Sequence, residues 1–372
     1  MGEKRIRILH MTPADINNGV YRYIFNHMRY LDRQRYQFAF LTRGAAKLKR
    51  TKEYQRYGTS IHMLHHTQRD SQKELKKEIV DILREGYDVI HLHTSSWRGF
   101  LIEQTAMEMG VGKVIVHSHS SGIDVADSET RKKQMEEHER YRKQFSMKYA
   151  TDVCACSVLA AEWLFGSRIP RNRIQILPNA IDVRRYHFQA GKRQEIRAFL
   201  NLENRIVIGN VGRYTYQKNQ EFLIRVFAKA HAQNPSLFLI CLGEGMLLDN
   251  LRRLYRQYDI KDSVLCMEWQ EHPEDYLQAM DLFCLPSRFE GFPISVIEAQ
   301  AAGVKCLVSD QVTDEVKITD LVTFLPLEEM CWVETLAELR MDGERQRRDE
   351  EIARAGYDVR TAVGKLEKLY ER

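Results

Sequence analysis

Short apolar runs of buried-strand type alternate with longer stretches of helical periodicity along almost the whole chain, and that alternation leaves few folds open. In the first half the runs fall at residues 6–10, 38–41, 61–64, 89–92 and 114–117, with helical stretches between them, most clearly 71–84 and 100–109. In the second half they fall at 206–211, 237–242, 264–267, 281–285 and 321–325. Strands of continuous apolar character joined through helices belong to parallel sheets covered on both faces. The opening unit is a strand, a turn containing Gly19, and a helix with Val20, Ile24, His27 and Leu31 on one face, which is how a Rossmann-like half begins. At 372 residues the chain exceeds one such core, so an α/β protein of two Rossmann-like domains is expected. The expected division is 1–182 and 183–356, with 183–204 as a polar linker and entry, and a last helix over about 357–372.

Charge and cysteine usage bound the setting. No apolar run approaches the ~18–20 residues of a membrane span. The N-terminal segment enters its first strand without a signal-peptide core, and four of the seven cysteines (Cys241, Cys266, Cys284, Cys306) sit in strand-like runs with no Cys-x-x-Cys. Buried thiols in a reducing, cytoplasmic setting are expected. The net charge of +5 is uneven: residues 1–182 hold 30 Lys and Arg against 21 Asp and Glu, or +9, and residues 183–372 hold 26 against 30, or −4. Arg43, Lys47, Lys49, Arg50, Lys52 and Arg56 form one basic cluster, and Arg131, Lys132, Lys133, Arg140, Arg142, Lys143 and Lys148 load a helix expected over 128–150. These are either solvated faces or an adhesive surface for anionic lipid, where each cation contributes ~1 kcal/mol. No nucleic-acid-binding motif accompanies them, so nucleic acid is not an expected partner. Tyr141, Phe145 and Tyr149, at helical spacing, are expected in the core.

The segment 286–303 carries the chemistry. Strand 281–285 ends in a loop broken by Gly291 and Pro293, and Ile294, Ile297 and Ala301 then recur at helical spacing up to a Gly303 stop. Glu290 is thereby placed in the loop at a strand's carboxyl end and Glu298 inside the following helix. That edge of an open α/β sheet is where ligands bind. Ser-x-x-Glu-Gly-Phe-Pro followed by Glu-Ala-x-Ala-x-Gly, with Leu307 to Asp310 and Thr313 to Asp320, resembles retaining nucleotide-sugar glycosyltransferases of family 4, most closely those of bacterial capsule and exopolysaccharide synthesis. Ala161 to Gly166 matches the same group. Pro178-Asn-Ala-Ile-Asp182 is similar to the family's crossing between domains, with Ala180 where Gly is usual.

The resemblance implies the GT-B architecture: two Rossmann-like domains facing across a cleft, with the C-terminal helix packing back on the first. It implies a metal-independent hexosyl transfer with retention, from a nucleotide sugar (UDP-sugar) to a polyprenyl-diphosphate-linked saccharide at the inner membrane face. No cofactor is expected. Gly212-Arg213 with Lys218-Asn219 places two cations at a strand end beside a helix N-terminus. By resemblance Arg213 and Lys218 hold the donor diphosphate and Gly19 approaches it from the opposite wall. Glu290, with Gly291, Phe292 and Pro293, meets the donor sugar, and Glu298 binds the ribose. His91, His93, His117 and His119 all end strands, giving either a metal site or histidines bonded to loop backbone; the resemblance carries a catalytic, sugar-facing role to His119 alone. The absence of Asp-x-Asp removes the usual metal motif of the other glycosyltransferase fold. An epimerase on the same fold, a non-catalytic subunit of a transferase complex and a lipid- or nucleic-acid-binding module stay open.

Overall fold

The structure, a computed structural model, describes residues 5–58, 60–268, 270–341 and 345–371. The chain forms two compact units. One comprises Met1–Ile123, Asp127–Ala180 and Val359–Arg372; the other comprises Asp124–Ala126 and Ile181–Asp358.

The first unit holds β1 (Ile6–Met11), β2 (Tyr36–Thr42), β3 (Ser60–Met63), β4 (Val89–Thr94), β5 (Lys113–Ser118), β6 (Asp152–Ala155) and β7 (Ile174–Ile176). They form one parallel sheet in the order β3-β2-β1-β4-β5-β6-β7. The second unit holds β8 (Ile206–Val211), β9 (Leu237–Leu242), β10 (Val264–Met267), β11 (Leu282–Leu285), β12 (Lys305–Ser309) and β13 (Val322–Leu325), parallel in the order β10-β9-β8-β11-β12-β13. In each sheet the chain works outward from its first strand and then returns to that strand's other side. The switch points lie between β1 and β4 and between β8 and β11, where carboxyl ends open a crevice.

Local chemistry places the helices. Asn18 caps Gly19–Met28 by accepting from Val20 N and Tyr21 N, Ser71 caps Gln72–Leu83, and Ser157 caps Val158–Phe165 as its position implies. The core of the first unit joins Ile8, Ile24, Phe40 and Ile115 to Val363, Leu366, Leu369 and Tyr370 of the last helix, Val359–Glu371. The second core gathers Ile208, Phe227, Leu239, Cys284 and Trp332. All seven cysteines are free.

Two expectations fail. The charged helix stops at Arg142 rather than 150, and a separate 3₁₀ turn covers Met147–Tyr149. Phe145 leaves the helical path to stack on Trp97, ring centroids 4.6 Å apart, and is fully buried. Its core assignment holds, but through a break in the helix. Residues 183–204 are not a linker: they fold into helices Val183–Tyr186 and Ala190–Phe199 within the second unit. Arg197, buried, donates to Ala279 O at 2.9 Å and Leu202 O at 2.7 Å and pairs with Asp281 at 3.1 Å. Asp281 also binds Arg193 and accepts from Val207 N at 2.7 Å. A charged sequence was thus spent on tying helix ends to a strand end. Asp281→Ala leaves the Arg197 guanidinium buried and unpaired, so we expect a loss of about 3–5 kcal/mol in unfolding free energy, read by urea titration of the intact protein. An effect under ~1 kcal/mol would show the network to be ornamental.

Candidate active site

At the switch point of the second unit, two loops are stitched together. The loop after β8 carries Arg213, Gln217 and Lys218, and the loop after β11 carries Ser287 and Glu290. Arg288 N donates to Gln217 O at 2.8 Å, Gln217 Nε2 to Phe289 O at 3.1 Å, and Asn219 Nδ2 to Pro286 O at 3.1 Å. Asn219 adopts a left-handed conformation, φ 55°, and so starts the helix Gln220–Gln233 directly beside the loop. Beneath, Asn210 Nδ2 donates to Cys284 O at 2.8 Å, bridging the two central strands.

The Glu290 carboxylate sits at the centre. Its Oε1 accepts from Lys218 Nζ at 2.6 Å and from Ser287 Oγ at 2.7 Å, and its Oε2 accepts from Gln217 Nε2 at 3.0 Å. Only 5% of the residue is exposed. Arg213 Nη2 donates to Asp124 Oδ2 at 3.2 Å, and Gln217 N donates to Asp124 Oδ1 at 2.9 Å. Each cation therefore rests on a carboxylate, a charge partner that an incoming phosphate can replace. Gly291 and Phe292 lead into the helix Ile294–Ala301, with Pro293 at its N-cap and Gly303, φ 68°, just past its end. Phe292 stacks on Tyr357 at 5.3 Å. Glu298 is buried in that helix, and its Oε1 accepts from Tyr186 Oη at 2.8 Å.

The structure brings Arg213, Lys218, Glu290, Gly291, Phe292, Pro293 and Glu298 onto these two loops and one helix. Gly19 begins a helix in the first unit, with open space where a Cβ would stand. Its residues also include the histidines, which correct one reading: they bond to one another rather than to loop backbone. His93 Nδ1 lies 2.8 Å from His119 Nε2, His91 Nε2 lies 3.2 Å from His117 Nδ1, and His91 Nδ1 lies 2.9 Å from Tyr370 Oη. His10 joins them, its Nδ1 3.0 Å from His93 Nε2. Burial lowers the pKa of His10 to about 3 and holds those of His91, His93 and His117 well below the ordinary range, so these rings are neutral.

Sequence reasoning passed over Asp124, Tyr186, Gln217, Ser287 and His10. Gln217 and Ser287 stand inside motifs already singled out, and their neighbours were the available signal. Asp124 and Tyr186 reach the site from distant sequence, which spacing does not encode.

Cations and buried carboxylates at the switch-point edge of a Rossmann-like sheet define a candidate ligand site. Comparison with known proteins gives its class. Residues 17–185 match the family model Glycosyltransferase Family 4, and residues 192–323 match Glycosyl transferases group 1. The two matches lie one in each half of the chain, both are glycosyltransferase domains, and the protein is a glycosyltransferase. It is 28% identical to EpsF of Bacillus subtilis (strain 168) over 379 aligned residues, covering 100% of this chain and 97% of that one. It is 27% identical over 61% of its length to the Escherichia coli UDP-Gal:alpha-D-GlcNAc-diphosphoundecaprenol alpha-1,3-galactosyltransferase, of which 59% is covered. The fold is that of Anabaena Alr3699/HepE, solved in complex with UDP and glucose: TM-score 0.73, 16% identity, 99% of this chain and 100% of that chain covered. WaaG, a glycosyltransferase involved in lipopolysaccharide biosynthesis, shares it with a TM-score of 0.65 at 14% identity, over 98% of this chain and 95% of that one.

Proposed function

We propose that the protein moves a sugar from a UDP-sugar to a polyprenyl-diphosphate-linked saccharide, with retention of the anomer, in capsule or exopolysaccharide synthesis. The observation that carries this reading is the Arg213, Lys218 and Glu290 arrangement at the β8–β11 switch point. A departing nucleoside diphosphate develops negative charge, and preorganised cations beside a helix N-terminus offset it without reorganising. Arg213 and Lys218 exchange Asp124 and Glu290 for donor phosphate oxygens. Glu290, released, accepts hydroxyls of the donor sugar, with the N–H groups of Gly291 and Phe292 beside it. Glu298 takes the ribose once Tyr186 gives way, Gly19 leaves backbone room for a phosphate, and His119 faces the sugar. The relative from E. coli named above uses, by its name, a UDP-sugar and a diphosphoundecaprenol acceptor, and the name of a Campylobacter jejuni relative, 30% identical over 142 residues, carries a diphospho-undecaprenol acceptor. Incubation of the purified chain with UDP-sugars and a lipid-linked saccharide tests the whole reading. Donor epimerised without transfer, or no turnover or donor hydrolysis at all, would replace it with an epimerase or a non-catalytic subunit.

Two results are expected alongside. UDP should raise the melting temperature without added Mg²⁺, and EDTA should leave the UDP-induced increment unchanged, because side-chain cations serve the phosphates. A strict divalent requirement for that increment would overturn metal-free donor binding. The first unit should also adhere to anionic vesicles in a salt-sensitive way, since Lys47, Lys49, Arg50, Lys132 and Lys133 are all exposed and screening acts over about 8 Å at physiological salt. Among the described residues no helix is long and apolar enough to cross a membrane. If reversing those five charges leaves vesicle sedimentation intact, the surface is elsewhere.

A further inference from the structure

The switch point of the first unit, between β1 and β4, is packed with imidazoles. His10, His91, His93 and His117 are buried, and His119, just past β5, is half-buried at the rim. Strand register sets this, with His10 opposite His91 and His93 opposite His117. One nitrogen from each of His93, His117 and His119 lies within 4.8 Å of the other two. Three buried polar atoms here, His10 Nε2, His117 Nε2 and Tyr23 Oη, have no hydrogen-bond partner among the described residues. The Tyr23 ring meets His117 and His119 edge-on, centroids 5.0 and 5.3 Å away. An unsatisfied buried polar group costs about 1–3 kcal/mol, and one of these three, His117 Nε2, is an imidazole nitrogen that an ion can take.

We propose that His93, His117 and His119 form a three-nitrogen site for a divalent transition metal of the Zn²⁺ type, entered from the His119 side. The donor set suits such an ion, with imidazole nitrogens and room for a further ligand. Nitrogens about 2.0–2.1 Å from a tetrahedral ion stand about 3.3 Å apart, a small adjustment from the 2.8 Å between His93 Nδ1 and His119 Nε2. One set of tautomers leaves a lone pair on each of three rings: the His119 proton, shared with His93 Nδ1 while no ion is bound, moves to Nδ1, and His10 keeps an Nε2–H with no acceptor among the described residues. His93 donates from Nε2 to His10 Nδ1, His117 donates from Nδ1 to His91 Nε2, and His91 donates from Nδ1 to Tyr370 Oη. Lone pairs then remain on His93 Nδ1, His117 Nε2 and His119 Nε2, while His10 and His91 become the outer partners that orient two of the three ligands. Each ring stays neutral with a single proton, so the imidazoles release none on uptake. The site belongs to the first unit and takes no part in holding the donor's phosphates; it shares His119 with the proposed sugar contact, so its test reads metal binding and not turnover.

The test uses the full chain, stripped with chelator and titrated with Co²⁺. One equivalent should be retained through desalting, with visible ligand-field bands that stoichiometric Zn²⁺ abolishes, and Mg²⁺ should not compete. His119→Gln, at the half-buried rim and checked for folding by circular dichroism, should weaken Co²⁺ binding beyond the roughly 10- to 100-fold that losing an outer partner costs. Absence of stoichiometric Co²⁺ binding by the wild-type chain would overturn the proposal. So would unchanged affinity in His119→Gln, which would put the ion on other residues.

Discussion

Glu290→Gln is expected to lower kcat by about 10²–10³ while leaving the Kd for UDP within about twofold, and Glu298→Gln to do the reverse. Glu290 sits among three donors; in the proposed reading it would lose Lys218 to the incoming phosphate, so its carboxylate would be free for the sugar only when donor is bound. A charge-assisted contact that strengthens as the sugar becomes oxocarbenium-like acts on kcat, in the range of ~2.7–4 kcal/mol found for preorganised transition-state donors. Glu298 is held by Tyr186 in the helix Ile294–Ala301, away from the reacting centre. Its bonds to ribose hydroxyls, about 1.5–3 kcal/mol each, would be made equally in ground and transition states. Glu298→Gln should therefore weaken UDP and UDP-sugar alike by about tenfold to a hundredfold, with kcat little changed. Calorimetry beside transfer kinetics separates the two; equal losses of UDP affinity would reverse the assignment.

The second large effect concerns the cations. If the proposed reading holds, Arg213→Ala and Lys218→Ala should each reduce kcat/KM by about 10²–10³, since each would remove a fixed charge from the departing diphosphate. They should part company in the absence of donor. The Lys218 and Glu290 side chains are 14% and 7% exposed, so Lys218→Ala strands a buried carboxylate and should lower the melting temperature of the apo protein. Arg213 and Asp124 are 31% and 21% exposed, and a pair that wet contributes little to stability. Arg213→Ala should therefore melt within a degree or two of wild type. Two variants with equal activity losses and equal melting temperatures would mean that Lys218 is not the partner of Glu290 in solution.

The sheets were legible because their strands are buried on both faces, which writes unbroken runs such as 237–242 into the sequence. The alternation makes the sheets parallel but leaves the strand order open, and the seating of β4 beside β1 and of β11 beside β8 was read only from the structure. What stayed illegible depends on partners far along the chain. The early end of the 128–142 helix is dictated by Trp97 receiving Phe145, and the helical character of 183–199 by carbonyls around residue 280 that accept Arg193 and Arg197. In the candidate site, Glu290, Glu298, Arg213 and Lys218 stand in compact motifs and could be found by spacing. Asp124 and Tyr186 could not, because they reach those motifs from 89 and 112 positions away.

The last helix, Val359–Glu371, has a consequence for how the protein is made. Val363, Leu366, Leu369 and Tyr370 complete the core of a unit whose sheet was finished at β7, and the second unit intervenes in the chain between them. On the ribosome, the first sheet must wait with an apolar face uncovered while the second unit emerges and folds. The order of completion is thus the inverse of the order of synthesis: the second unit closes first, and the first unit closes only when residues 359–371 have left the exit tunnel. A chain released before that point carries two finished sheets and one unfinished core, which makes an early stop in this sequence a hazard for aggregation rather than a mere loss of activity.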